Sequence, residues 1–318
     1  MLAGVILIIM GALRLGTLIK FIPKSITVGF TAGLAITIVV GQIKDFLVLT
    51  IQAGVPNIET IDKLANVFSN LSTINWLALL VGASSVIIMI VRAKFFKKIP
   101  ASLIVVLLGS LVVSLSGISV ITIGDAFEIS SSLPKFAFPE VSGELILSVL
   151  PDAFTIAILA GIESLLSCVV SDGMIEDTHN PNTELIAQGL GNICSGLFGG
   201  IPATGAIART AANVKNGGRT PVSGMVHAIV LFIVLVVLMP YASLIPMPVI
   251  ASILFIVAYN MSEWRSFVKI IKTKKVFDII VLVLTFVLTV VFNLVIAIVV
   301  GLVLHYAFVA FEKFKAKK

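Results

Sequence analysis

Apolar runs of about bilayer length recur along the chain and constrain its fold more than any other feature. A membrane-spanning helix needs roughly 20 mainly apolar residues. Hydrophobic residues make up 58% of this sequence and charged residues 12%, whereas soluble domains carry about 25% charged residues. We therefore predict an all-α polytopic integral membrane protein. Its predicted segments are 2–20, 22–44, 72–93, 99–118, 144–170, 183–199, 203–214, 219–240, 246–262, 275–293 and 294–312.

The basic residues fall mainly on one side of the membrane when successive segments cross it in alternate directions and the first runs from outside to inside. Eighteen of the 22 fall inside, while Lys44, Lys63 and Lys135 fall outside and Arg209 stays in the membrane. Cytoplasmic loops carry an excess of Lys and Arg. The pattern therefore predicts a plasma (inner) membrane protein with a cytoplasmic C-terminus. It also attributes the net charge of +6 to cytoplasmic loops rather than to nucleic-acid binding.

A helix break is predicted at Gly199-Gly200-Ile201-Pro202, because proline lacks a backbone donor and glycine disfavours the helix. Broken backbone at membrane depth is tolerated where it lines a cavity or is buried in protein. We predict that Thr204 caps a new helix running from Gly205 to about Asn213. The positive end of that helix and its free N–H groups would favour an anion.

The beginning of this second helix is our candidate substrate site. Small side chains there would leave room for an anion, backbone N–H groups or a hydroxyl would bind it, and Arg209 would add a full positive charge. Packing of the small residues against a neighbouring helix, and an arginine marking a cytoplasmic helix end, are the structural alternatives. The predicted substrate-binding residues are Thr204, Gly205, Ala206, Ile207, Ala208 and Arg209.

Glu163 is the second candidate, because it lies mid-span within 156–170 among apolar neighbours. A carboxylate there is costly unless it is protonated or paired. We predict an ion-coupling site for H⁺ or Na⁺, with Ser167 one turn away on the same helix face. A salt bridge to Arg209 is the structural alternative.

Other chemistry finds no support in the sequence. The three histidines (His179, His227 and His305) are not spaced as metal ligands, and no common hydrolase motif occurs. The two cysteines, Cys168 and Cys194, lie in apolar segments and are interpreted as packing residues. We therefore predict no enzyme, no metal site and no cofactor beyond the coupling ion.

An internal repeat is suggested by two Ile-Pro pairs, Ile22-Pro23 and Ile245-Pro246, each at the start of a span. The surrounding four-span units, 2–118 and 219–312, are threaded in opposite directions, as in transporters with inverted repeats. Three segments precede the second unit and none precedes the first. This asymmetry predicts a seven-plus-seven fold of which about eleven segments are present, with three N-terminal spans missing.

Three motifs resemble the SulP family of anion transporters, the sulfate permeases. They are 163–174 (ESLLSCVVSDGM), 184–192 (ELIAQGLGN) and 195–210 (SGLFGGIPATGAIART). The resemblance implies fourteen spans in two inverted repeats, with discontinuous half-helices that bind the anion between them. It also implies a core domain moving against a gate domain, a homodimer, and a cytosolic STAS domain that this chain does not include.

The resemblance implies a division into four parts. These are 1–118 as a first-repeat remnant with one core span (2–20) and gate spans (22–118), 119–143 as an extracellular linker, 144–240 as core spans with the break at 199–214, and 246–318 as second-repeat gate spans with a basic tail.

The expected function is secondary active transport of a small inorganic or organic anion, such as sulfate, coupled to H⁺ or Na⁺. A nucleobase permease of the same architecture and a non-transporting membrane partner or fragment remain the alternatives.

Overall fold

The computed structural model describes residues 1–51, 55–56, 59–95, 100–128, 133–140, 142–273, 275–292 and 294–315. Helices account for every named element in this part of the chain. The first eight are α1 (Leu2–Ala12), α2 (Lys24–Leu47), α3 (Thr60–Ser69), α4 (Trp76–Phe95), α5 (Ala101–Ser116), α6 (Ile123–Ala126), α7 (Gly143–Ile175) and α8 (Pro181–Leu197). The others are α9 (Ile207–Lys215), α10 (Val222–Ile233), α11 (Met239–Ala242), α12 (Met247–Met261), α13 (Trp264–Lys272), α14 (Val276–Val291) and α15 (Leu294–Lys315).

Among the described residues, four helical stretches are long and apolar enough to cross a bilayer, and the fourth of them is interrupted at Glu263, which has φ of 44°. They are Lys24–Leu47, Gly143–Ile175, Val222–Ala242 and Met247–Lys272. The third joins α10 and α11 through a π-helical turn, Val234–Leu238. Five shorter apolar helices accompany them in the described part of the chain.

The first compact unit contains Met1–Pro23 and Ser132–Ile233, and therefore α1 and α7 to α10. Its core joins α1, α7 and α8 around Leu7, Ala157 and Leu185, which are fully buried. Two glycines let α1 and α8 approach closely. A Cβ added to Gly4 would lie 2.5 Å from the carbonyl oxygen of Gly189, and a Cβ on Gly189 would lie 2.5 Å from that of Gly4.

The second compact unit contains Lys24–Ser131 and Val234–Lys318. Helix α2 packs against both α12 and α14, which explains why Ile26 and Phe30 are almost fully buried. Ser252 on α12 is also buried, and its hydroxyl donates to the carbonyl of Gly82 on α4 at 2.9 Å. A buried hydroxyl satisfied in this way fixes the register of two helices.

The first predicted span, 2–20, is not one α-helix. Helix α1 ends at Ala12, Arg14 takes a left-handed conformation with φ of 60°, and a 3₁₀ helix follows over Leu15–Phe21. A non-glycine residue at positive φ cannot continue a right-handed helix. The apolar composition of this stretch gave no signal of that turn.

Candidate functional site

The predicted break separates α8 from α9. Helix α8 ends at Leu197 and α9 begins at Ile207, so residues 198–206 form a non-helical connection within the first unit. Gly199 has φ of 72°, a conformation that glycine adopts at little cost. The Gly200 N–H then donates to the Ser195 carbonyl at 2.8 Å.

Side chains of α8 hold the connection in place. Asn192 uses both ends of its amide: its Nδ2 donates to the Ala203 carbonyl at 2.9 Å, and its Oδ1 accepts from the Ala203 N–H at 2.8 Å. Gln188 also donates to the Ala203 carbonyl. Ser195 donates to the Ile201 carbonyl at 2.9 Å. Backbone groups that would otherwise be unpaired at membrane depth are thereby satisfied.

Helix α7 contacts the C-terminal end of the connection. Ser164, which is 1% exposed, accepts from the Gly205 N–H at 3.0 Å and lies 3.3 Å from the Thr204 hydroxyl. Thr204 donates in turn to the Ala160 carbonyl at 2.9 Å. These bonds correct one prediction: Thr204 does not cap a helix, because its hydroxyl is directed to α7.

Helix α9 begins two residues later than predicted, and Ala206 occupies its N-cap without a side-chain hydrogen bond. The first hydrogen bond of α9 runs from the Thr210 N–H to the Ala206 carbonyl at 3.0 Å. The N–H groups of Ile207 and Arg209 precede it, and neither donates to an acceptor within the described residues. A helix end of this kind offers both free donors and the positive end of the dipole.

Arg209 is the third residue of α9, and it is exposed. Its guanidinium interacts electrostatically with the carboxyl of Glu163 on α7. Within the described ranges, however, the one ion pair closer than 4.0 Å joins His179 and Asp172. The direct salt bridge between Glu163 and Arg209, which the sequence left as an alternative, is therefore not formed. The arginine remains available to another anion.

Glu163 is half-buried, and it lies next to the two α7 serines that contact the break and α9. Ser164 contacts the break, and the buried Ser167 donates to the Thr210 hydroxyl at 2.7 Å. The structure thus brings Glu163, Ser167 and the start of α9 to one part of the first unit.

A cavity of about 610 Å³ opens beside this region, and it includes Ser164, Ser167, Gly205 and Thr210 in its lining. Further along, the cavity is lined by acidic and histidine side chains near the α7–α8 connection. These are Asp172, Asp177, His179 and Glu184. His179 Nδ1 lies 2.6 Å from Asp172 Oδ2. In the part of the chain that the structure describes, no group of histidine, cysteine and acidic side chains has the arrangement of a metal site.

Four residues that shape the break were not predicted from the sequence: Ser164, Gln188, Asn192 and Ser195. A signal for three of them was present. Positions 188, 192 and 195 follow the i, i+4, i+7 spacing of one helix face, and polar side chains there, directly before a Gly-Gly break, indicate a partner for its backbone.

Comparisons with known proteins identify the family of this chain. The sequence model of the Sulfate permease family matches residues 1–285. The putative sulfate transporter YvdB of Bacillus subtilis (strain 168) is 42% identical over 290 residues, which cover 89% of this chain and 53% of that protein. The bicarbonate transporter BicA of Synechocystis sp. is 34% identical over 265 residues, which cover 83% of this chain and 46% of that protein. The chain thus spans about half the length of these relatives.

Solved structures show the same fold. The transmembrane domain of a cyanobacterial bicarbonate transporter BicA superposes with a TM-score of 0.78 at 29% identity, covering 96% of this chain and 74% of that one. The murine anion transporter Slc26a9 in its inward-facing state superposes with a TM-score of 0.83 at 21% identity, covering 98% of this chain and 51% of that one. The predicted helical inverted-repeat transporter fold and the predicted family are confirmed. The chain is an integral membrane protein that belongs to the sulfate permease family.

Proposed function

We propose that this chain carries the anion site of a secondary active transporter for a small anion, with sulfate as the first candidate. The observation that carries the proposal is the uncapped start of α9, where free N–H groups lie beside an arginine without a close ion-pair partner in the described structure. Donors fixed in this way can replace the hydration shell of an anion. The names of the relatives, a putative sulfate transporter and a bicarbonate transporter, support the same substrate class.

The proposed substrate residues are those of the sequence analysis, with roles refined by the geometry. The backbone at Ile207, Ala208 and Arg209 supplies donors, and the Arg209 guanidinium supplies charge. Thr204, Gly205 and Ala206 form the non-helical segment that leads into α9. The hydrogen bond from the Gly205 N–H to Ser164 fixes the position of that segment.

Glu163 and Ser167 are proposed to bind the coupling cation, H⁺ or Na⁺. A cation at Glu163 would neutralise the carboxylate, and an anion at α9 would neutralise Arg209 and the helix dipole. Crossing the membrane then costs least when both ions are bound, because uncompensated charge is expensive at low dielectric. This accounts for obligatory coupling without direct contact between the two ions.

The first compact unit, which contains the whole of this site, is proposed as the transport core, and the second as the gate. Residues 119–143 would then be an extracellular linker between the two repeats. A homodimer in the plasma (inner) membrane, with the C-terminus in the cytoplasm, completes the proposal. The distribution of basic residues in the sequence supports the proposed orientation. No observation favours an enzyme, a nucleobase permease or a non-transporting partner over an anion carrier.

The substrate test uses the full gene product that contains this chain, reconstituted into proteoliposomes. Uptake of labelled sulfate, bicarbonate, fumarate and uracil is measured under an imposed pH or Na⁺ gradient. We expect one of the anions to be carried, and Arg209→Gln to raise its half-saturating concentration by about tenfold, as expected for the loss of ~1.4 kcal/mol of binding. Arg219→Gln removes an exposed arginine beyond α9 and serves as the control. Uptake of uracil alone, or an unchanged affinity in Arg209→Gln, contradicts the proposal.

The coupling test replaces Glu163 with glutamine, which keeps the shape of the side chain and removes its titratable charge. We expect uptake to become independent of the cation gradient while exchange of internal for external anion continues. Glu144→Gln, in the first turn of the same helix, is the matched control and should remain gradient-dependent. If Glu163→Gln uptake still follows the gradient, the coupling ion binds elsewhere.

A further inference from the structure

Helix α13 is a short amphipathic helix that the transport site does not explain. It runs from Trp264 to Lys272, between α12 and α14. Glu263 separates it from α12 with a left-handed backbone, φ of 44°, which interrupts the helix at that point. Helix α13 is therefore an element separate from α12.

One side of α13 is fixed to the second unit. Phe267 packs its ring edge-on against Phe286 of α14, with ring centroids 5.6 Å apart, and α13 also contacts α2. This packing fixes the rotation of α13 about its axis. The remaining faces of the helix are consequently presented in a defined orientation.

An apolar stripe on α13 remains exposed. Trp264, Val268 and Ile271 are 46%, 38% and 42% exposed, and their spacing of four and three residues places them on one helix face. The indole N–H of Trp264 also donates to the Tyr259 hydroxyl at 3.2 Å. A tryptophan with an apolar body and a satisfied polar edge is typical of a membrane–water interface.

A basic edge runs directly beside this stripe. Arg265, Lys269 and Lys272 are all exposed, and they repeat the same spacing one residue later. The Arg265 guanidinium lies 5.6 Å from the centre of the Trp264 ring. None of the three forms an ion pair closer than 4.0 Å with an acidic side chain in the described structure.

The surrounding sequence strengthens the positive charge. Lys274 and Lys275 follow α13 directly, whereas Glu263 and Asp278 are the acidic residues between 263 and 278. Five basic residues therefore stand against two acidic ones over this stretch. A soluble acidic ligand would account for these charges but not for the adjacent exposed apolar stripe.

We propose that α13 lies in the membrane interface and binds the headgroups of anionic phospholipids. Its apolar stripe would enter the acyl boundary, and its basic edge would contact lipid phosphates, as amphipathic basic helices do. The long Arg and Lys side chains reach headgroups while their methylene groups stay in apolar surroundings. Because α13 is packed on α2 and α14, this lipid contact would anchor the second unit.

Trp264 makes the proposal directly measurable, because Trp76 is the only other tryptophan in the chain. Trp76 is 69% exposed, so Trp76→Phe should be tolerated and leaves Trp264 as the sole indole of this chain. The full-length protein with this change, and with any tryptophan outside this chain also replaced by phenylalanine, is reconstituted into phosphatidylcholine bilayers containing a minor fraction of phosphatidylglycerol. Either lipid is supplied in brominated form, and quenching of tryptophan fluorescence reports which lipid lies beside Trp264.

We expect brominated phosphatidylglycerol to be enriched at Trp264 over brominated phosphatidylcholine by roughly fivefold, the effect of one fully engaged cation at an anionic surface. The triple variant Arg265→Gln, Lys269→Gln and Lys272→Gln should reduce the enrichment to about one. Lys44→Gln, Lys63→Gln and Lys135→Gln together remove the same charge from predicted outside positions and should leave the enrichment unchanged.

Two results would overturn the proposal. Equal quenching by the two lipids would mean that α13 has no preference for anionic headgroups. If neither lipid quenches Trp264 and aqueous iodide fails to quench it as well, protein rather than lipid covers the stripe.

Discussion

Ser164 shows how single side chains determine the geometry of the candidate site. Its hydroxyl is buried in α7 and contacts both Thr204 and Gly205, so it fixes the approach to α9. Sequence analysis could identify Glu163, because a carboxylate in an apolar span is costly and therefore conspicuous. It could not identify Ser164, because small serines are common wherever membrane helices pack closely.

We predict that Ser164→Ala weakens both the fold of the break and anion binding. The half-buried Gly205 N–H would lose its acceptor, at a cost of about 1–3 kcal/mol. The midpoint temperature of thermal unfolding in detergent should fall, and the half-saturating anion concentration should rise. Ser148→Ala, on an exposed part of the same helix where the hydroxyl bonds only within α7, is the control. Identical values for the two variants would show that Ser164 does not hold the break.

Asp125 gives a pH-dependent prediction outside the membrane spans. Its carboxylate accepts from the Thr122 backbone N–H at 2.8 Å and from the Thr122 hydroxyl at 2.8 Å, and these bonds hold the pKa of Asp125 below its usual value. Their stabilisation of α6 is present above the unfolded pKa of about 3.9 and is lost as pH falls through the lower folded pKa. Hydrogen exchange of peptides from 119–128, corrected for intrinsic rates, should rise in that acidic range. In Asp125→Asn, exchange rates corrected in the same way should not depend on pH in this range.

At the scale of elements, the close contact of α1 with α8 depends on glycine at two facing positions. We predict that Gly189→Ala destabilises the first unit by about 1–3 kcal/mol, as other overpacking substitutions do, because the new Cβ would meet the Gly4 carbonyl oxygen at 2.5 Å. Gly191→Ala on the same helix meets no atom within 4 Å. It should be neutral or stabilising, since alanine favours the helix. Thermal unfolding of the two variants compares them directly, and equal losses would mean that α1 and α8 are farther apart.

Several elements lay beyond the reach of the sequence patterns. Apolar composition located the long spans, but α1 ends at Ala12 because of the left-handed Arg14, and hydropathy carries no information on that turn. The start of α9 was misplaced because threonine is a common N-cap, whereas here a tertiary bond to Ala160 competes for its hydroxyl. Helix α13 was missed because nine residues are too few to resemble a span, and its lysines were assigned to a loop.

At the scale of the whole molecule, the predicted orientation can be tested without any transport assay. Lys135 and Lys215 are both exposed, but threading places them on opposite sides of the membrane. In a background with Cys168→Ala and Cys194→Ala, we predict that Lys135→Cys reacts with an impermeant maleimide in intact cells. Lys215→Cys should react only after permeabilisation. The reverse labelling pattern would show that the chain has the opposite orientation in the membrane.

The fold class and the location of the break could be predicted because both depend on strong local signals, apolar length and Gly-Gly-x-Pro. How the break is held could not be predicted, because it depends on residues from α7 and α8 that only folding brings together. Asn192 lies eleven positions before Ala203, and Ser164 lies forty-one before Gly205.

Because the neighbours of the break hold much of its backbone, its own side chains have considerable freedom to change. Ile201 is 83% exposed, and its backbone carbonyl is held by Ser195 whatever side chain it carries. Random substitution at this position should therefore leave folding intact, in contrast to substitution at Asn192. The architecture separates the demands of assembly from those of ligand choice, so the surface beside the site can diversify during evolution at little cost to the fold.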